Sequence, residues 1–186
     1  MADLTTQSNV KSVLGIPTAV TEHDGLIDML LDVVDQEVLG YTGLSTLTQQ
    51  TVTEYHNILD NTENELRLRN FPVSSITSVK ESDTTLETST YYLDTGVGYV
   101  RLKNLGSYFA VGNQKIEVVY VAGYSSIPAD LSYAATVLAA AHFNSGRHAG
   151  MLYEQVATYR YRRREGMPEE AIRILAKYRR VFARPS

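Results

Sequence analysis

The change from strand to helix lies in residues 115–143, which read KIEVVYVAGYSSIPADLSYAATVLAAAHF. Ile116, Val118 and Tyr120 alternate with residues of mixed polarity, which is the period of a β-strand. One side of this strand is therefore apolar, and we expect it to be covered. A helix is predicted to follow Pro128, because proline has the fixed φ of a first helical position and no amide proton to leave unpaired.

The predicted helix carries one apolar stripe and many alanines. Leu131, Ala135, Leu138 and His142 recur at spacings of three and four residues, so they share one helix face. The alanines between them allow another backbone to approach closely, which predicts a central helix. It should end near Ser145 or Gly146.

Upstream of this junction, residues 44–123 have the composition of a β region. Thr-, Val- and Tyr-rich runs are interrupted by Asp, Asn and Gly, the residues of turns. The predicted strands are Gln50–Ile58, Glu65–Arg69, Ser75–Glu81, Tyr91–Leu93, Tyr99–Leu102 and Lys115–Val121.

A long amphipathic helix is predicted before the β region, from Glu22 to Leu39. Thr21 is its expected N-cap, and Gly40 and Gly43 should stop it. Its apolar stripe consists of Leu26, Ile27, Leu30, Leu31, Val34 and Val38, with Asp28, Asp32 and Asp35 outside it. A shorter helix is predicted at residues 10–14.

The last predicted helix opens at Pro168 and closes with Arg179 and Arg180. Glu169 and Glu170 in its first turn, and the arginines in its last, suit the two ends of the helix dipole. Its expected apolar stripe is Ile172, Leu175, Tyr178 and Phe182.

These elements predict an α+β fold with a helical connector core and an inserted antiparallel β-hairpin or sheet region. The core would consist of the N-terminal amphipathic helix, the Ala-rich central helix and the C-terminal helix. We expect a single domain, 1–186, with the β insertion at about 44–123 and a mobile or interface C-terminal segment at about 147–186.

Composition excludes several classes of site and protein. The chain has no cysteine, so a disulfide, a thiolate zinc site and a cysteine nucleophile are impossible. No stretch approaches the roughly 18 apolar residues of a membrane span, and the N-terminus lacks the pattern of a signal peptide. We therefore expect a soluble, unprocessed chain made in a cytoplasm.

Charge is unevenly distributed along the chain. Residues 1–130 contain seven Lys and Arg against 17 Asp and Glu, whereas residues 131–186 contain ten against four. The two ends could be ordinary solvated surface, or they could bring the basic end of one subunit to the acidic surface of another.

No catalytic, cofactor or metal site is predicted. The four histidines His23, His56, His142 and His148 lack the spacing of a metal site, and His142 is expected at the edge of the core with the others in solvent. There is no phosphate-binding loop, dinucleotide fingerprint or nucleophile elbow. We expect that the protein is not an enzyme.

The most unusual cluster is YRYRRR at residues 159–164. Arginine and tyrosine are enriched at protein interfaces, but they also suit contacts to phosphates and bases, and a solvated basic loop is the third interpretation. The predicted partner interface consists of Tyr159, Arg160, Tyr161, Arg162, Arg163, Arg164, Tyr178, Arg179, Arg180 and Phe182.

The order of several segments resembles the head-tail connector (adaptor) proteins of long-tailed bacteriophages. The resemblance covers about residues 22–182. The segments that carry it are the helix Leu26–Gly43 with Tyr41-Thr42, ELRLRNFPV at 65–73, ITSV at 76–79, YLD at 92–94, GYVRL at 98–102, VYVAGY at 119–124, IPADL at 127–131, MPEE at 167–170 and KYRR at 177–180. The tract at 160–164 is more basic than this family's pattern.

The resemblance implies a structural role in the neck of a virion. Such a protein forms a ring of about twelve copies that docks on the portal protein and meets the next head-completion (stopper) or tail protein. Genomic DNA passes through its lumen, and no membrane is involved. It also implies that the C-terminal segment reaches the portal, while the β portion contributes subunit contacts or faces the tail.

Three other functions remain open. The chain could be another ring of the same neck, such as a stopper or tail-completion protein. It could be a nucleic-acid-binding module that uses the tract at 159–164. An enzyme would need a pair of carboxylates with shifted pKa values in a deep pocket, which the sequence does not indicate.

Overall fold

The computed structural model describes residues 4–95, 97–147, 153–156, 159–162 and 166–179. The chain forms two compact units, a helical unit (Met1–Gly43 with Ile127–Ser186) and a β unit (Leu44–Ser126). Within the described residues the elements are α1 (Gln7–Leu14), α2 (Asp24–Thr42), β1 (Gln50–Ile58), β2 (Glu65–Arg67), β3 (Val73–Glu81), β4 (Thr84–Thr85), β5 (Tyr91–Asp94), β6 (Tyr99–Leu102), β7 (Gly112–Ala122), α3 (Ala129–Arg147), β8 (Tyr153–Val156), β9 (Tyr159–Arg162) and α4 (Glu169–Leu175).

The helical unit is built around α3, which contacts α1, α2 and α4. Its inward residues are small or branched and fully buried, so neighbouring helices can approach closely: Leu131, Ala134, Ala135, Leu138 and Ala139. The edge of the His23 ring packs against Phe143, with 5.4 Å between ring centroids. The predicted central helix is therefore confirmed.

Polar contacts fix the start of the helical unit. The Thr6 side chain caps α1 by accepting a hydrogen bond from the backbone N–H of Asn9, and Gly15 ends α1 with φ +68°. Lys11, although buried, forms an ion pair with Asp24 and donates to the carbonyl of Val20 at 2.8 Å. The buried ammonium group thus has the partners that its burial requires.

The β unit contains two antiparallel sheets. One has the strand order β1-β7-β3-β4 and the other the order β2-β6-β5. Both sheets contribute to one buried cluster, which consists of Ile58, Leu66, Leu68, Val73, Val79, Tyr91, Val100, Phe109, Ile116, Val118, Tyr120 and Ala122. Ile116, Val118 and Tyr120 all face this cluster, as their alternation predicts.

The predicted fold class is wrong. The described residues form a mixed, strand-rich fold, with two antiparallel sheets in the β unit, the two-stranded β8–β9 sheet and four helices, and not a helical core with an inserted β-hairpin or sheet region. The strands have a large core of their own. Turn signals indicate only which neighbours fold back on each other, whereas the central strand β7 pairs with β1 and β3 over long sequence separations.

Single elements follow the sequence more closely. All six predicted strands are present, while β4, β8 and β9 were not predicted. The N-cap of α2 is His23 and makes no side-chain hydrogen bond, so the prediction of Thr21 is wrong. Asp35 is buried and accepts a hydrogen bond from the backbone N–H of Leu4 at 3.2 Å, although it was expected outside the buried stripe.

The C-terminal helix is shorter than expected. α4 ends at Leu175 and buries Ala171, Ile174 and Leu175, whereas Ile172 is exposed. Tyr178, which was expected to continue the stripe, lies beyond the end of α4, and Phe182 lies outside the described residues. No helix in the described part of the chain is both long and apolar enough to cross a membrane.

Candidate partner interface

Part of the predicted interface lies in the hairpin formed by β8 and β9. Tyr153 pairs with Arg162, Glu154 with Tyr161, Gln155 with Arg160, and Val156 with Tyr159. The alternating Tyr and Arg positions of the tract are therefore presented on a strand. Arg163, Arg164, Arg180 and Phe182 lie outside the described residues.

Tyr178 and Arg179 make contacts within their own chain. The Tyr178 hydroxyl donates a hydrogen bond to Asp130 at the start of α3, and Lys177 Nζ lies 3.4 Å from the same carboxylate. The hydrogen bond from Tyr178, aided by Lys177, holds the pKa of Asp130 below its ordinary value. The Arg179 guanidinium lies 5.7 Å from the centre of the Tyr41 ring. These residues join the end of α4 to α3 and α2.

A second candidate surface is the outward side of α2. Leu26, Met29 and Val33 have exposed fractions of 42%, 56% and 45%. Their spacing of three and four residues places them in one row, which we call the outer stripe, away from the buried residues Ile27, Leu31, Val34 and Val38.

Acidic side chains border the outer stripe. Asp28 and Asp32 are both exposed and lie one turn apart along α2. Asp28 accepts a hydrogen bond from the neutral side-chain amide of Gln7 at 3.0 Å. Sequence reasoning missed this surface because Leu26 was assigned to the buried stripe. Met29 and Val33 gave the available signal, since both are apolar and lie outside that stripe.

The β unit holds a buried carboxylate, Glu54, in a dense hydrogen-bond network. Both of its oxygens accept a hydrogen bond from the backbone N–H of Arg69 at 3.1 Å. The carboxylate also accepts hydrogen bonds from the Tyr120 hydroxyl and from the side-chain amide of Asn70. His56 Nε2 lies 3.4 Å from Glu54 Oε2. The prediction that His56 lies in solvent is therefore wrong.

These donors decide the ionisation state of Glu54. Burial opposes ionisation, but His56, Tyr120 and the Arg69 backbone outweigh it and lower the pKa of Glu54. The pKa of Tyr120 is raised, chiefly by burial and then by its bond to Glu54. The carboxylate stays charged and the phenol neutral, which is the arrangement of a structural network.

The β unit also has an open polar depression, whose lining includes Tyr55, Lys80 and Glu117. Lys80 Nζ lies 2.7 Å from Glu117 Oε1, and Lys80 together with Tyr55 lowers the pKa of Glu117. The pKa of Glu117 is thus lowered, as the pKa values of Asp130 and Glu54 are. Such groups favour structural ion pairs over general-acid catalysis.

Comparison with known proteins identifies relatives at the level of family and fold. The family model for the head completion protein family matches residues 3–181. No curated protein matches the sequence.

Three solved structures with a similar fold come from particles of gene transfer agents (GTA). A chain in the neck of an empty GTA particle, computed with C6 symmetry, has a TM-score of 0.64 and 17% identity, with coverage of 96% of this chain and 90% of that chain. A chain in the virion of a native GTA particle has a TM-score of 0.63, with the same identity and coverage. A chain in the neck of a native GTA particle, computed with C12 symmetry, has a TM-score of 0.59 and 17% identity, with coverage of 87% and 85%.

Proposed function

Since the chain belongs to the head completion protein family, we propose that it is a structural adaptor of the neck of a tailed phage or phage-like particle. It joins the DNA-filled head to the next neck protein or to the tail. The observation that carries the proposal is the family match, which spans almost the whole chain. Both compact units act together as one connector domain, 1–186, and the role is not catalytic.

The adaptor works as a ring. Chains of similar fold occur in necks that were computed with C12 and C6 symmetry, which supports a ring of about twelve copies for this chain. Subunits in a ring meet head to tail, so each copy needs two different complementary surfaces. The acidic residues 1–130 and the basic residues 131–186 supply opposite charges for such contacts.

The partners are a portal protein on the head side and a stopper or tail protein on the other side. Genomic DNA passes through the lumen of the ring. The predicted interface residues of the tract, Tyr159 to Arg164, lie in the basic part of the chain and make protein contacts there, either with the portal or with the neighbouring subunit.

The test is deletion of the gene for this chain from the genome that encodes the particle. Electron microscopy should show DNA-filled heads without joined tails, and addition of the purified protein should restore tail joining. Tailed, DNA-retaining particles formed without the chain would contradict the proposal.

A different ring of the same neck is the alternative within this class. Binding measurements with purified portal protein and with purified tail protein distinguish the two roles. An adaptor binds the portal directly, whereas a stopper binds the portal only through another ring.

A nucleic-acid-binding module is the second candidate function. It is favoured by the alternation of Tyr and Arg in β9, since arginine neutralises phosphates and tyrosine stacks on bases. Salt-dependent retardation of duplex DNA by the isolated protein would support it. Binding to portal protein without binding to free DNA would support the adaptor.

A further inference from the structure

We propose that the outer stripe of α2 is the surface on which the β8–β9 hairpin of the next copy docks in the ring. The inference rests on the proposed function, because it assigns the two sides of the subunit contact in that ring.

The first argument is the apolar surface of α2. One face of this 19-residue helix already packs inward through Ile27 and its neighbours, and the helix needs no second apolar row to fold. Leu26, Met29 and Val33 nevertheless lie in line and remain about half exposed. Apolar side chains in a contiguous exposed row mark a site of association.

The second argument is charge. Asp28 and Asp32 give the border of the outer stripe a negative charge. The β9 strand of the hairpin contributes Arg160 and Arg162 together with Tyr159 and Tyr161. An apolar surface with an acidic border therefore meets a strand that carries aromatic and cationic residues, which is the complementarity of a specific contact.

The third argument selects a second copy as the occupant. Leu26, Met29 and Val33 stay about half exposed, so no other described part of the same chain covers the outer stripe. DNA does not suit this surface, because Asp28 and Asp32 would repel its phosphates. The two surfaces are different, as a head-to-tail contact that closes a ring requires.

The test uses the absence of natural cysteines. One population carries Met29→Cys, and a second carries either Arg160→Cys or Tyr161→Cys, since successive residues of a strand point to opposite faces. The two populations are mixed, assembled into particles and oxidised. A disulfide-linked dimer should form with one of the two β9 positions. The matched control replaces Met29→Cys by Leu59→Cys, at a side chain that is 75% exposed in the β unit, and should give no dimer.

Charge exchange provides the second readout. Asp32→Arg alone and Arg162→Asp alone should each lower incorporation into particles by about tenfold, because each places like charges together. The combination in one chain restores opposite charges at the contact and should restore incorporation. A merely structural role of Asp32 would not be rescued by a change at Arg162.

The outcomes separate this contact from the proposed function. Particles that contain both cysteine populations but no cross-linked dimer would overturn the contact and leave the adaptor function standing. Cross-linking of Met29→Cys to a portal or tail protein would overturn it as well. Absence of the wild-type chain from the necks of particles would overturn the proposed function and the contact with it.

Discussion

At the scale of single residues, the β unit depends on polar groups that have their partners in place. Asn70 connects two of them, since its side chain donates to Glu54 while its Oδ1 accepts from the backbone N–H and hydroxyl of Ser45, both at 2.8 Å. The segment before β3 is thereby fastened to the sheet. Burial without these partners would cost about 1–3 kcal/mol for each group.

Glu54→Gln should therefore destabilise the protein in a pH-dependent manner. The folded-state pKa of Glu54 lies below its unfolded value, so its contribution to stability is present above the unfolded pKa of about 4.3 and is lost as the pH falls through the folded pKa. We expect a loss of about 1–3 kcal/mol at neutral pH that shrinks in acid. Urea unfolding followed by circular dichroism between neutral and acid pH measures it.

The matched control is Glu87→Gln at an exposed carboxylate. Its difference from the wild type should be small at every pH. A Glu54→Gln difference that stayed constant into acid would show that the charge of Glu54 does not stabilise the fold.

Gly123→Ala should destabilise the β unit. Gly123 has φ +101°, and an added Cβ would lie 2.3 Å from the carbonyl oxygen of Thr48, which is backbone and cannot rotate away. We expect a loss of more than about 1 kcal/mol in the free energy of unfolding. Gly40→Ala in α2 is the control, because an added Cβ would meet no neighbouring atom there. Alanine should raise the free energy of unfolding by about 0.5–1 kcal/mol at this helical position. Equal stability of the two variants would contradict the expectation.

At the scale of elements, α3 and α2 show opposite uses of apolar residues. On α3 the small residues face inward and allow other helices to come close. On α2 the apolar residues divide into a buried row and an exposed row, so composition alone does not tell which row packs within the chain. A helix that is apolar on two sides offers the second side to a partner.

Ala139→Leu should destabilise the helical unit. Ala139 is fully buried in α3, so the added atoms have no space and must displace a neighbouring helix. We expect a loss of about 1–3 kcal/mol in thermal or urea unfolding. Asn144→Leu, at an exposed position of the same helix, should change stability by less than about 0.5 kcal/mol. A tolerated Ala139→Leu would mean that the helices are not packed closely around α3.

At the scale of the whole molecule, the charge distribution is the property that fits a ring. The basic residues 131–186 include the hairpin, and the acidic residues 1–130 include the border of the outer stripe. Opposite charges at the two sides of a subunit contact speed its formation and fix its orientation more than they strengthen it.

Neutralisation of Arg162, Arg163 and Arg164 to alanine should impair assembly without unfolding the chain. We expect loss of ring formation or of portal binding, measured by native mass spectrometry with and without portal protein. The control removes the same number of positive charges from the β unit, at Arg67, Lys103 and Lys115. If both triple variants assemble like the wild type, the interface role of the tract is wrong.

The sequence was most informative where a residue's role depends on its neighbours in the chain. The alternation at Ile116, Val118 and Tyr120 predicted the buried side of β7, and Pro128 predicted the start of α3. It was least informative where the role depends on distant residues. The burial of Asp35 against Leu4 and the Glu54 network depend on partners that no local pattern announces.

The sequence by itself determined most of the elements, the charge distribution and the family resemblance, because periodicity, composition and motif order are properties of the chain. Only the tertiary structure decided that the strands form two antiparallel sheets around their own core, since that depends on pairings such as β1 with β7 across more than half of the β unit. It also decided that Leu26 faces outward, because the burial of a residue in α2 depends on which side of α2 the other helices pack against. Long-range packing sets these features, and its free energy depends on residues that are far apart in the sequence.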